Sequence, residues 1–180
     1  MKKEVIMVDD NNVFDEQKFL QMLHYVIYKT SGLQNVGKVV LYKIMYFSDF
    51  DFYELCDKSI SGESYFKLPL GPAPSHFETG ITKLQSKKKV KVINTKYGSF
   101  NQIKAISFSE PSLNLLNGDE LRIIDKAIQK LSSMSGSGAS AYSHEDIPWK
   151  ATESGKEIDY ELVFYRDDKF SVKNGLEISC

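Results

Sequence analysis

The chain has 180 residues, 42% hydrophobic and 26% charged. That length suits one globular domain, and the apolar content excludes disorder along most of it. Lys and Arg number 23 against 24 Asp and Glu, a formal charge of −1, so no global basic field points to nucleic acid or an acidic membrane.

Two cysteines, Cys56 and Cys180, are too few for the bridged framework of a small secreted fold. Residues 1–15 are charged and lack the apolar centre of a signal peptide, and no run approaches the ~20 apolar residues that span a bilayer. The expectation is a soluble, cytoplasmic protein of a reducing compartment. Cys56 is expected to be an inert core thiol and Cys180 part of a frayed terminus.

Phe19, Leu20, Leu23, Val26 and Ile27 recur at helical spacing and predict a helix over about 16–31, capped by Asp15 and closed by Gly32. After Asn35, read as an N-cap, residues 36–55 carry apolar or aromatic side chains at every angle. A helix apolar all round is one that neighbours surround, so this is the predicted central helix. Tyr42, Tyr46 and Tyr53 share a face with Asp49, and their hydroxyls are expected to satisfy its half-buried carboxylate. Asp51 and Glu54 are expected to face solvent or pair with Lys43.

Residues 57–74 contain Gly62, Pro69, Gly71, Pro72 and Pro74 and are expected to form an ordered loop. Ser75 and Glu78 have the spacing of a capping box before a short helix that ends in Lys87, Lys88 and Lys89. Alternation on either side of Tyr97-Gly98-Ser99 predicts a β-hairpin over about 90–109. Asn117 and Glu120 give a second capping box, opening a helix through Leu131. Residues 132–143 are small and polar, and 158–165 suits a short strand. The predicted fold is a single α+β domain, mostly helical, with a central buried helix and a small antiparallel hairpin.

His144-Glu145-Asp146 is the densest cluster of acid, base or metal-binding groups. A zinc site needs convergent ligands, whereas His24 and His76 stand alone in other elements, so no metal and no cofactor is expected. Cys56 lies near a predicted helix C-terminus beside Asp57, where the local field opposes a nucleophilic thiolate. Gly71 lacks the pattern of a phosphate cradle. Lys87, Lys88, Lys89 and Lys91, with Lys83 and Lys96 nearby, form the basic run. It is read as a solvated helix end and a hairpin edge protected against strand pairing, and the neutral net charge disfavours nucleic acid. His144 and Trp149 are expected to anchor an irregular segment, each hydrogen-bonded to a neighbour.

Four segments resemble the Panacea domain of the SocA-like antitoxins. They are Lys43-Ile44-Met45-Tyr46-Phe47-Ser48-Asp49-Phe50, Ile60-Ser61-Gly62-Glu63-Ser64-Tyr65, Leu68-Pro69-Leu70-Gly71-Pro72-Ala73-Pro74, and Ser143-His144 with Trp149, which matches an S-H-x-x-x-x-W element. The resemblance runs over roughly 34–165. It departs from the family at Leu70, where an aromatic is commoner. The corresponding organisation is an N-terminal tail (1–14), a Panacea-like domain (15–166) and a C-terminal tail (167–180).

The resemblance implies a bacterial or phage antitoxin rather than an enzyme. It would neutralise a cognate toxin, the product of an adjacent gene, by direct protein–protein contact. Two alternatives are an adaptor that delivers the toxin to an ATP-dependent protease, and a small hydrolase using His144 with Asp49 or Glu145. The segment before Gln34 is too short for an added DNA-binding domain, so self-repression is not expected. In this reading Asp49, Gly62, Tyr65, Pro69, Gly71, Pro72, His144 and Trp149 build the shared scaffold. His144, Glu145 and Trp149 are the candidate partner contacts, because tryptophan anchors recur in interface hot spots.

Overall fold

The structure is a computed structural model, and it describes residues 12–180. Most of the expected N-terminal tail, residues 1–11, lies outside the described residues.

The first helix, α1 (Glu16–Thr30), starts where the Asp15 carboxylate accepts from the Lys18 N–H at 3.0 Å. Its end differs from expectation. The Thr30 and Ser31 hydroxyls take the carbonyls of Val26 and Ile27 at 2.8 and 2.7 Å, so no left-handed closure at Gly32 is used. The central helix α2 (Lys38–Cys56) is capped by Gly37 rather than Asn35. Asn35 instead donates to the carbonyls of Ser132 and Met134, tying the entry of α2 to a distant helix end. As the all-round apolar pattern predicts, α2 is buried on every side, with Ile44, Met45, Tyr46 and Phe50 fully inaccessible.

The expected loop 57–74 contains a hairpin, β1 (Tyr65–Leu68) with β2 (Gly71–Pro74), paired antiparallel from Tyr65↔Pro74 to Leu68↔Gly71. Its prolines hid the strand signal. They are tolerated because β2 has β1 as its one neighbouring strand among the described residues, so their missing N–H groups break no further ladder. The helix α3 (Phe77–Ser86) begins at His76 without the predicted Ser75 cap. A buried carboxylate, Glu63, has taken the His76 N–H at 2.9 Å and the ring Nδ1 at 2.8 Å.

The predicted hairpin is present as β3 (Val90–Tyr97) and β4 (Phe100–Ser107), turning at residues 98–99. The helix α4 (Gly118–Leu131) carries both bonds of its predicted capping box, each 2.9 Å. The small polar stretch forms a further helix, α5 (Gly136–His144), started by Ser135. Its buried Ala139, Ser140 and Ser143 allow close approach to α2 and β2. A short α6 (Ile147–Ala151) follows. Residues 160–165 form a 3-10 helix and not the expected strand, with Tyr160 and Val163 turned inward.

Two cysteine expectations are overturned. Cys56 and Cys180 are joined in a disulfide with Cα atoms 5.4 Å apart, so Cys56 is not a free core thiol and Cys180 is not frayed. The C-terminal residues pack back on the domain, with Phe170 buried beside Phe47 and Tyr142. The bridge and the Phe47–Phe170 contact each span more than a hundred residues, beyond the reach of local pattern reading. The whole is one α+β domain, and no helix of the described residues is long and apolar enough to cross a membrane.

Candidate functional site

The sequence-selected residues gather along α2 in three connected groups. The first centres on Asp49, which is fully buried and accepts from the Ser61 N–H (2.9 Å), the Ser61 hydroxyl (2.7 Å) and the Tyr65 hydroxyl (2.7 Å). The expected tyrosine donors are therefore corrected. Tyr42, Tyr46 and Tyr53 bond instead to Glu78, Asp146 and Glu161. Burial pushes the Asp49 carboxyl up to about 6, although the Ser61 and Tyr65 bonds oppose the rise. Next to Ser61, Gly62 has φ +68, and a Cβ there would lie 2.2 Å from the Val13 carbonyl oxygen. Only glycine lets the chain preceding α1 cross at this point, where Asp15 N–H donates to Ser61 O at 2.9 Å. Tyr65 packs edge-on against Tyr46 and Phe50, and Tyr160 stacks on Phe50 at 4.1 Å.

The second group joins α2 to β2, α5 and α6. Lys43, the expected partner of Asp51 or Glu54, is 1% exposed, and its Nζ donates to Pro72 O at 3.0 Å. Burial alone lowers its pKa to about 7. Gly71, at φ +102, lies directly over it: a Cβ would approach Ser143 Oγ to 2.4 Å and Lys43 Cε to 2.6 Å. The Ser140 hydroxyl donates to Leu70 O at 2.8 Å, and His144 bonds to the Pro69 backbone. The hairpin turn is thus fastened to α5 by the residues that make up the family-like motif.

The His144 ring stacks on Trp149 at 4.0 Å, and Lys67 Nζ lies 4.1 Å from the indole centroid. Burial, with Lys43 and Lys67 nearby, lowers the His144 pKa. The expectation that each ring hydrogen-bonds a neighbour holds for His144 through Pro69 only. His144 Nε2 and Trp149 Nε1 are buried without a partner among the described residues. Glu145 is exposed and pairs with Lys169. His144 makes no hydrogen bond to Asp49 or Glu145, so the residues of the hydrolase alternative are not assembled into an acid–base pair.

Sequence reading missed the third group. Arg166, one of two arginines in the chain, has a fully buried side chain. It donates to Asp146 through Nε (2.9 Å) and Nη2 (2.7 Å), and through Nη1 to Asp51 (2.8 Å) and Glu54 (3.0 Å). Asp51 and Glu54 are therefore neither simply solvent-facing nor paired with Lys43. Burial works against the Arg166 charge, but Asp51 and Asp146 outweigh it and hold the guanidinium ionised. The Asp51 carboxyl is pushed up to about 6, chiefly by burial against the pull of Arg166. Glu54 also accepts from the Ser171 hydroxyl, which continues the network into the C-terminal strap. Nothing local marks Arg166; its partners lie 20 to 115 residues away.

No group of three or more His, Cys, Asp or Glu able to hold a metal occurs among the described residues. The three groups share a physical character: buried polar atoms satisfied by other elements, which cross-link a scaffold. A protein-family model described as "Antitoxin SocA-like, Panacea domain" matches residues 41–150, the span that contains Lys43, Asp49, Gly62, Gly71, His144 and Trp149. No curated protein and no solved structure matches the chain.

Proposed function

The chain belongs to the SocA-like, Panacea-domain antitoxin family, and on that premise we propose that it is the antitoxin of a toxin–antitoxin pair in a bacterium or phage. It binds its cognate toxin, the product of an adjacent gene, and neutralises it by direct protein–protein contact in the cytoplasm. The observation that carries this reading is the family match over residues 41–150. The site geometry supports it. The motif residues are engaged in holding α2 to β1, β2 and α5, which is the work of a binding scaffold rather than of a reaction centre.

In this reading Asp49, Gly62, Tyr65, Pro69, Gly71, Pro72, His144 and Trp149 are structural. Around residues 144–149, Glu145 and the accessible part of Trp149 offer a partner contact, with His144 setting the indole orientation. The test is co-expression with the adjacent gene product, followed by co-purification. Restored growth with a stable complex supports occlusion. Rescue that disappears in a host lacking ATP-dependent proteases, without a stable complex, assigns the protein to protease delivery instead.

A further inference from the structure

Residues 79–109 contain seven lysines and no Asp or Glu. This segment carries +7, whereas the rest of the chain holds 16 Lys and Arg against 24 Asp and Glu, a balance of −8. Two of the lysines are engaged: Lys83 pairs with Glu16, and Lys104 reaches the carbonyls of Leu33 and Val36. Lys87, Lys88, Lys91 and Lys96 are exposed and form no ion pair with a described residue.

The β3–β4 hairpin turns one face inward through Val90, Val92 and Ala105, which join the core. By the two-residue alternation of a strand, the opposite face carries Lys91, Ile93, Thr95 and Tyr97 from β3 and Phe100, Gln102, Lys104 and Ile106 from β4, with Gln102 and Lys104 tied back to the carbonyls of Leu33, Gln34 and Val36. Phe108, whose N–H donates to Lys89 O, continues that face. Tyr97 stands opposite Phe100 at the tip, and Lys91 opposite Ile106 near the base. Phe100 is 75% exposed and Phe108 65%. Among the described residues no third strand joins this sheet. Exposed aromatic side chains at the tip and beyond the base of the hairpin, with four exposed lysines free of described ion pairs around them, have the composition of a recognition surface.

We propose that the outer face of this hairpin docks an acidic protein surface, an apolar patch rimmed by Asp and Glu on the toxin. This rests on the antitoxin reading and adds the face and the partner's chemistry. The aromatic residues supply the area removed from water, and the lysines select the partner's sign and accelerate encounter. A folded protein is favoured over nucleic acid because a long polyanion would also meet the −8 carried by the remaining residues, whereas a compact acidic patch meets the hairpin alone.

The test measures binding of the full-length protein to the purified adjacent gene product, for wild type and two variants. One combines Lys87→Glu, Lys88→Glu, Lys91→Glu and Lys96→Glu; the other combines Phe100→Ser and Phe108→Ser. All six side chains lie outside the core, so melting temperatures should stay close to wild type. Each variant is expected to weaken the complex about tenfold or more, with the lysine variant also losing salt dependence. If wild type binds and both variants bind within about twofold of it, the hairpin assignment is wrong while the antitoxin reading stands. If wild type neither binds nor protects, the antitoxin reading itself falls. If wild type shifts a short single-stranded oligonucleotide, the lysine variant does not, and toxin binding is unchanged, the surface belongs to nucleic acid and the proposal is overturned.

Discussion

Replacing Lys43 by methionine should stabilise the protein at neutral and mildly acidic pH, although it deletes a hydrogen bond. The amine is 1% exposed, its bond to Pro72 O is its one hydrogen bond among the described residues, and burial takes its pKa from 10.5 to about 7. In the unfolded chain it returns to about 10.4. The folded-state value is the lower one, so between about pH 7 and 10 the unfolded chain holds the extra proton and stability rises with pH. Below about pH 7 both states are protonated, and the full cost of the buried charge is present. At about 1.36 kcal/mol per pKa unit that cost approaches roughly 5 kcal/mol as an upper bound. Lys43→Met removes it and forfeits about 1 kcal/mol of hydrogen bonding. A net gain of about 2–4 kcal/mol is expected at pH 6, vanishing or reversing by pH 10. Urea unfolding of both proteins at pH 6, 8 and 10 measures the difference directly. A variant less stable than wild type by the same amount at every pH would refute the reasoning.

Two further perturbations probe the network that anchors the C-terminal strap. Arg166→Met leaves Asp51, Glu54 and Asp146 without their shared cation, and should cost about 3–5 kcal/mol in denaturant unfolding; a loss below about 1 kcal/mol contradicts the assigned role. Cys180→Ser opens a loop closed across a sequence separation of 124, for which chain entropy gives an upper figure of about 5 kcal/mol. Its melting temperature should match that of wild type in dithiothreitol and fall below that of oxidised wild type; three coincident melts would show that the bridge contributes nothing.

What the sequence made legible was local and periodic. The all-round apolar run of α2, the Asp15 cap, the Asn117–Glu120 capping box and the β3–β4 alternation each carry their signal within a few residues, and each is present in the fold. Where two signals competed, the tertiary one won. Ser75 and Glu78 have capping-box spacing, but the Ser75 N–H that Glu78 would accept goes to Ser64 O at 2.9 Å, and the buried Glu63 carboxylate takes the next N–H, that of His76. Pro72 and Pro74 masked β2, and the Gly/Ser composition of residues 135–140 masked α5, whose small side chains are what allow its close packing.

At the candidate site, the chemistry at Asp49 was foreseen in kind but not in partner. A tyrosine hydroxyl does satisfy the carboxylate, yet it comes from Tyr65 on β1, because the three tyrosines on α2 reach carboxylates on other elements. Gly62 and Gly71 were legible as motif members. Their physical reason, close crossings by Val13 and Lys43 at positive φ, needed the packed chain. Arg166 and the Cys56–Cys180 bridge are long-range pairings that no local pattern announces.

The most direct test of the central claim is growth of cells expressing the adjacent gene product with and without this protein, followed by purification of whatever complex forms. The account predicts that the neighbour alone arrests growth, and that the wild-type protein restores it in a complex of fixed stoichiometry. Continued arrest in the presence of folded, excess protein would contradict it.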